Sequence, residues 1–177
     1  MNIGTQALTD AIAAQAPTLQ SFFPWVNAQA LLSAVCSNES DFGKDCNPRL
    51  EASYLRGSVR KYLGIDSTGA NGRYYSPASW SAWGMYSACS HGPTQIMGAT
   101  LWDLGYQDDP TALVRDPNLA MIWTIKYIKA RAQGATTVEE VADAYNSGSF
   151  RDRFQPLSYM QEMQQNYDHW VTMYPQS

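Results

Sequence analysis

Apolar residues recur with a helical period along much of the chain. Over residues 25–39, spacings of three and four place one apolar face at Ala28, Leu31, Leu32, Val35 and Cys36. The same pattern predicts helices over residues 50–63, 94–104, 118–133 and 157–173. Strand-like alternation is weak, and the stretch 64–86, rich in Gly, Ser and aromatic residues, predicts a long loop with at most a small hairpin. The pattern therefore predicts a mostly α fold.

Capping residues mark several of the predicted helix boundaries. Asp116 precedes Pro117, and a hydrogen-bond acceptor followed by a residue without an N–H favours a helix start. Thr137 followed by Glu140 is a capping-box pattern, which predicts a helix that begins there and runs into the 140s. Gly134 is placed to end the helix before it.

Composition and charge narrow the class of protein. The 177 residues are 45% hydrophobic and 16% charged, which is enough apolar material for one packed domain. We expect a helical N-terminal extension over residues 1–24 and a core over residues 25–177. The chain holds 12 Lys and Arg against 16 Asp and Glu, and the resulting net charge of −4 argues against nucleic acid as a partner.

The sequence lacks a membrane span, a secretory signal and a metal-binding cysteine pattern, and these absences lead to expectations about cellular location and cofactors. It has no run of 18 apolar residues, so we expect no membrane insertion. Residues 1–17 hold no Lys or Arg and no continuous apolar stretch, which predicts synthesis in the cytoplasm without a secretory signal. Cys36, Cys46 and Cys89 match no zinc or redox spacing and are expected to be reduced thiols, with a bridge between Cys36 and Cys46 as the alternative. We predict no metal and no other cofactor.

The first candidate for chemistry is Glu39, at the end of the helix predicted over residues 25–39. The helix dipole disfavours a carboxylate there by a few tenths of a kcal/mol up to about 1 kcal/mol. The same dipole, combined with burial against an aromatic ring, would raise the carboxyl pKa and hold its proton for donation. The alternative is a solvated carboxylate at an ordinary helix end.

Two further segments carry polar groups suited to a sugar ligand. Gly92 and Pro93 turn the backbone, so Gln95 is expected in the first turn of the helix predicted from residue 94. Tyr145 and Asn146 are expected at the end of the following helix, where a hydroxyl and an amide can hydrogen-bond a carboxyl group or a sugar. Taken singly, each segment also fits a routine helix start or stop.

Together the three segments resemble the catalytic domain of soluble lytic transglycosylases, in the goose-type lysozyme superfamily. The hallmarks of that family are a Glu-Ser pair, a Gly-Leu-Met-Gln-like turn and an Ala-Tyr-Asn tripeptide. Glu39-Ser40 matches the first, residues 92–97 the second and residues 144–146 the third. Residues 116–119 look like the family's connection into its next helix, and Tyr167 like the tyrosine near its end. The resemblance covers roughly residues 28–173.

The resemblance implies a compact lysozyme-like fold with a groove for glycan strands. It implies that Glu39 is the sole catalytic acid and base, and that Tyr145 and Tyr167 orient it. The remaining residues expected to bind or orient substrate are Ser40, Gln95, Met97 and Asn146. The chain departs from the family pattern in Pro93 and Thr94, which replace the usual Leu and Met, and in an aromatic insertion over residues 74–86.

The implied reaction is cleavage of the β-1,4 bond between N-acetylmuramic acid and N-acetylglucosamine in peptidoglycan. Glu39 would protonate the glycosidic oxygen and then accept the proton of the muramic acid 6-hydroxyl, leaving a 1,6-anhydro end. Lytic transglycosylation is favoured because no second acid matches a family position. The first alternative is an inverting muramidase, in which Asp41, Asp45 or Glu51 activates water. The second is a noncatalytic glycan-binding module of a virion.

The resemblance and the absence of a leader together predict a phage lytic enzyme. Such an endolysin would be made in the host cytoplasm and reach the periplasmic cell wall after phage-assisted release, or act as part of a virion. Its partner would be the glycan strand, and we expect a monomer.

The aromatic insertion has two interpretations. Tyr74, Tyr75, Trp80 and Trp83 could stack on sugar faces along one wall of the groove. Alternatively, they form a small satellite core that holds the segment down.

Overall fold

A computed structural model of the chain describes residues 3–55, 77–149 and 157–175. Within these ranges the fold is mostly helical, as the periodicity predicts, with a small three-stranded antiparallel sheet. The helices are α1 (Thr5–Phe22), α2 (Ala28–Ser40), α3 (Pro77–Trp83), α4 (Gly98–Asp103), α5 (Ala112–Arg115), α6 (Pro117–Arg131), α7 (Val138–Ser147) and α8 (Leu157–Met173). The strands are β1 (Arg49–Leu50), β2 (Cys89–His91) and β3 (Ile96–Met97), and 3-10 helices cover Ala52–Tyr54 and Gly84–Ala88.

Helix α2 lies at the centre of the core. Leu31, Leu32 and Val35 are fully buried on it, and it packs against both α1 and α8. Burial of this much apolar surface is the main stabilising term available to a chain of this size. The C-terminal end of α2, which carries Glu39, is therefore fixed by the core itself.

Helix α1, expected as an N-terminal extension, contributes to the same core. Leu8, Ile12 and Leu19 are fully buried on it, and it packs against α2 and α6. The helices predicted over residues 25–39, 118–133 and 157–173 are confirmed within a few residues at each end.

The predicted capping signals are also found. An Oδ1 oxygen of Asp116 accepts a hydrogen bond from the Leu119 N–H at 3.0 Å, directly ahead of α6. The Thr137 hydroxyl accepts from the Glu140 N–H at 3.2 Å and begins α7. The Glu140 carboxylate accepts from the Thr136 N–H at 2.6 Å, one residue earlier than in the usual capping box.

Three predictions of local structure are wrong where the structure describes them. Residues 50–54 form the end of β1 and a 3-10 helix rather than the start of a helix over 50–63, and residues 56–63 lie outside the described residues. Within the helix predicted over 94–104, only Gly98–Asp103 is helical, because Ser90 pairs with Met97 and His91 with Ile96 in an antiparallel hairpin. The last part of the predicted loop 64–86 contains α3 and the start of a 3-10 helix, and residues 64–76 lie outside the described residues.

The contacts of Trp83 favour a packing role over sugar stacking, and the core that it packs against is the main one. The Trp83 ring meets the Trp102 ring edge-on at 5.2 Å between centroids and lies 6.0 Å from Tyr106. Trp80 is partly buried on the same helix, while Tyr74 and Tyr75 lie outside the described residues. Trp83 therefore joins α3 to α4 rather than presenting a flat face to a ligand.

Two further expectations concern membranes and thiols. None of the helices described here is both long and apolar enough to cross a membrane. Cys36, Cys46 and Cys89 are free and buried, and burial raises the pKa of each thiol above its ordinary value. Thiols that stay protonated are poor nucleophiles, so these three residues contribute as small apolar groups.

Candidate active site

The three sequence motifs meet at one cavity of about 240 Å³. Its walls include Glu39 from the end of α2, Gln95 and Met97 from the β2–β3 hairpin, and Tyr145 and Asn146 from α7. Segments more than 100 residues apart in sequence therefore converge here, as the three motifs led us to expect.

Glu39 is a partly buried acid in the lining of this cavity. Its Oε1 oxygen accepts a hydrogen bond from the Tyr159 hydroxyl at 2.6 Å. Burial raises the carboxyl pKa, and the nearby Glu51 adds to the rise. The hydrogen bond from Tyr159 and the positive charge of Arg49 oppose it without cancelling it. Glu39 therefore keeps its proton to a higher pH than an ordinary glutamate, as a general acid must.

The tyrosine that holds Glu39 is Tyr159, so the prediction that Tyr167 does so is wrong. The Tyr167 hydroxyl accepts a hydrogen bond from the Asn27 N–H at 3.0 Å, at the opposite end of α2. Asn27 and Glu39 are separated by about 18 Å along that helix. Tyr159 lies two helical turns before Tyr167 on α8, so both face α2, and their spacing alone does not tell which of them reaches Glu39.

Tyr145 lines the cavity, but its hydroxyl does not hydrogen-bond Glu39. It donates instead to the Thr94 carbonyl at 2.6 Å, and the Tyr145 carbonyl accepts from the Tyr127 hydroxyl at 2.7 Å. The direct orienting contact predicted between Tyr145 and Glu39 is therefore corrected. Burial and the neighbouring Glu39 raise the Tyr145 pKa well above its ordinary value, so the phenol stays neutral and ties α7 to the β2–β3 turn.

Gln95 lies in the turn between β2 and β3 rather than in a first helical turn. It adopts a left-handed backbone conformation, with φ of +48°. Its amide donates to the Gly92 carbonyl at 2.8 Å and to the Asn47 carbonyl at 3.4 Å, and its Oε1 oxygen accepts from Ser90 at 2.6 Å. Both amide hydrogens of Gln95 are therefore used in stabilising the turn. Toward a ligand in the cavity, the side chain can act only as a hydrogen-bond acceptor, through its oxygen.

Ser40 is a positioning residue behind the cavity and does not belong to its lining. It is buried, its hydroxyl donates to the Pro93 carbonyl at 2.7 Å, and its oxygen accepts from the Gly43 N–H at 2.9 Å. This contact fixes the end of α2 to the β2–β3 turn. Glu39 and Ser40 therefore have different roles, although they are adjacent in sequence.

Sequence reasoning named Glu51 as a candidate acid but missed Arg49, which pairs with it in the lining of the same cavity. The Arg49 Nε lies 3.3 Å from the Glu51 Oε1, and both residues line the cavity. The signal was the alternation Arg49-Leu50-Glu51, which puts both charges on one side of an extended segment, and the helix predicted over 50–63 obscured it.

Of the three acids considered as a second carboxylate, Glu51 is the one that shares the cavity with Glu39. Asp41 is exposed and pairs with Lys44 at 2.9 Å. Asp45 accepts a hydrogen bond from the Asn47 amide at 3.0 Å. Neither Asp41 nor Asp45 lines the cavity.

Comparison with known proteins finds no match for this chain among family models, curated proteins or solved structures. A function must therefore be argued from the motifs and from the geometry of the cavity.

Burial of Glu39 predicts a pH-dependent gain in stability for Glu39→Gln. A carboxyl whose pKa is raised by folding stabilises the native state at low pH, and this contribution is lost as pH rises through the folded-state pKa. Glutamine is neutral throughout and can still accept from Tyr159. We expect equal melting temperatures for the two proteins at pH 4 and a higher one for Glu39→Gln at pH 8.

Glu162→Gln is the matched control, since Glu162 is exposed on α8 and the substitution removes the same charge. Thermal unfolding followed by circular dichroism at both pH values gives the comparison. A destabilised Glu39→Gln protein at pH 8 would contradict the raised pKa of Glu39.

Proposed function

We propose that the chain is a peptidoglycan lytic transglycosylase with a lysozyme-like fold and Glu39 as its single catalytic acid and base. The observation that carries this proposal is a partly buried carboxyl of raised pKa, hydrogen-bonded by a tyrosine, in the cavity where all three motifs meet. An acid held in its protonated form suits the cleavage of a glycosidic bond, whose leaving oxygen must gain a proton.

In the first step Glu39 donates its proton to the oxygen that joins C1 of N-acetylmuramic acid to C4 of N-acetylglucosamine. The C1–oxygen bond breaks, the N-acetylglucosamine leaves with a 4-hydroxyl, and positive charge develops at C1. In the second step the Glu39 carboxylate accepts the proton of the muramic acid 6-hydroxyl, and that oxygen bonds to C1. The 1,6-anhydro ring forms, no water is consumed and Glu39 regains its proton.

The surroundings of Glu39 suit both halves of this cycle. Burial favours the protonated carboxyl that the first step uses. The Tyr159 hydrogen bond favours the carboxylate left after proton donation, so that the acid can release its proton and recover it. Opposed influences of this kind keep a proton donor from holding its proton too tightly.

Substrate contacts in this proposal come from the cavity walls. Asn146 and Met97 line the cavity beside Glu39, and an amide and a thioether suit the acetamido group and the apolar face of an amino sugar. The predicted phage origin belongs to the same proposal: an endolysin or virion enzyme acting on the host cell wall as a monomer. Its support is the likeness of the motifs to the transglycosylase family.

A second candidate reaction is hydrolysis by the same acid. Glu51 lines the cavity and its charge acts on Glu39, so it is placed to activate water as the base of an inverting muramidase. Its Oε1 oxygen lies 3.3 Å from the Arg49 Nε, so the pair sits together in the cavity lining. The two reactions differ in their products and in their need for Glu51.

Glu39→Gln should abolish wall degradation. Loss of the only proton donor is expected to slow the clearing of a suspension of outer-membrane-stripped cells by at least about 100-fold. Glu162→Gln should clear at the wild-type rate. Equal clearing by wild type and Glu39→Gln would end the assignment of Glu39 as the acid, and no clearing by the wild type would favour a noncatalytic glycan-binding module.

Tyr159→Phe should move the alkaline limb of the activity profile to higher pH. The lost hydrogen bond stabilises the Glu39 carboxylate, so its removal raises the pKa further and Glu39 stays protonated longer. Tyr167→Phe is the matched control and should not move the limb, because that hydroxyl is bound to Asn27. A shift to lower pH in Tyr159→Phe would refute the assignment.

The products of Glu51→Gln should distinguish the two reactions. A transglycosylase should leave 1,6-anhydro ends on digested sacculi and keep its rate within a few-fold when Glu51 becomes Gln. An inverting muramidase should leave reducing ends and lose activity by at least about 100-fold. Mass spectrometry of the released muropeptides, for wild type and variant, reads both outcomes.

A further inference from the structure

A second cavity lies between α1 and α6, on a part of the molecule that shares no residue with the candidate active site. It has a volume of about 290 Å³ and an apolar lining that includes Phe22, Ile122 and Ile125. Lys126 and Lys129 stand at its edge. We call this cavity the α1–α6 groove.

The two lysine amines are held at the groove by aromatic rings. The Lys126 Nζ lies 3.6 Å from the centroid of Trp123, and the Lys129 Nζ lies 3.9 Å from the centroid of Phe22. The described ion pairs are Lys44 with Asp41, Arg49 with Glu51 and Arg115 with Asp109, and neither groove lysine enters one. Both side chains are exposed, so their charges are available to a ligand.

The charge of this face is positive, opposite in sign to the net charge of the whole chain. The net charge is −4, yet α6 contains three cationic residues and no Asp or Glu, and α1 contains a single acid, Asp10, near its start. Asp10 is bound to the Gln6 amide at 2.8 Å and precedes the first groove residue, Gln15, by more than a helical turn. The groove thus combines an apolar lining with unbalanced positive charge.

We propose that the α1–α6 groove is a peripheral docking site for an anionic phospholipid surface. One acyl chain would occupy the apolar groove while its phosphate meets Lys126 and Lys129. A groove of this volume has room for part of one acyl chain, whereas a stable protein partner needs about 800 Å² on each side. Phe22 and Trp25, each 42% exposed at and just beyond the end of α1, supply the aromatic groups that favour a membrane interface.

Co-sedimentation with vesicles tests this site. The wild-type chain should pellet with vesicles of three parts phosphatidylcholine to one part phosphatidylglycerol, and not with phosphatidylcholine alone. Lys126→Gln with Lys129→Gln should weaken the partition by about 30-fold, the effect expected of two lysines at an anionic surface. Phe22→Ala should weaken it by about 10-fold, because the chain then buries less apolar surface.

Lys44→Gln with Arg115→Gln is the matched control. It removes two charges from elsewhere on the surface and changes the net charge equally, so it should leave the partition unchanged. Melting curves of all variants verify that each is folded.

Three results would overturn the proposal. One is no binding of the wild type to the anionic vesicles, and another is an equal loss in the control and in the double lysine variant. The third is binding of an acidic amphipathic peptide at the groove without binding to vesicles, which would assign the groove to a protein partner.

Discussion

The hydrogen bond from Tyr159 to Glu39 is the interaction on which the candidate site depends. An ionised carboxyl taken from water into a buried position is costly unless it is paired or hydrogen-bonded. The 2.6 Å contact from the Tyr159 phenol offsets part of that cost and fixes the direction in which the carboxyl points. It also joins α2 to α8, so the same bond sets the chemistry of the acid and holds the closing helix against the core.

Two other motif residues support this pair indirectly, through the backbone of the β2–β3 turn. Tyr145 and Ser40 each donate a hydrogen bond to a carbonyl of the β2–β3 turn, to Thr94 and Pro93 respectively. Carbonyl oxygens in a tight turn have no partner within a helix or strand, and leaving them buried without one would be unfavourable. The two bonds meet that need and draw α7 and the end of α2 onto the same turn. The three motifs are thus brought together by backbone requirements of the hairpin.

The sequence predicts the long helices well and the β2–β3 hairpin poorly, for one physical reason. Helix α2 is stabilised by a period that many residues repeat, and Asp116 and Thr137 mark starts that the backbone uses. Strands β2 and β3 contain only three and two residues, too few for an alternating pattern to be read. Their pairing is set by the turn, where the left-handed conformation of Gln95 interrupts the predicted helix.

The residues of the site likewise fall into two groups, those that a local sequence motif predicts and one that depends on tertiary packing. Glu39 and the motif residues of the hairpin and α7 could be placed in one cavity from sequence because each belongs to a local motif. Tyr159 could not, since a tyrosine on the core-facing side of a helix looks like its neighbour two turns away. Which of the two reaches Glu39 depends on how α8 crosses α2, a tertiary property that no single-helix pattern encodes.

Charge around the acid follows from the short strand that sequence reasoning missed. Arg49 lowers the Glu39 pKa and Glu51 raises it, and because the two are paired their influences partly cancel. Burial and the Tyr159 hydrogen bond are then left as the principal controls, and neither depends on salt as exposed charges do. A charged pair in the cavity lining can therefore meet a ligand while the proton on Glu39 remains governed by burial and by Tyr159.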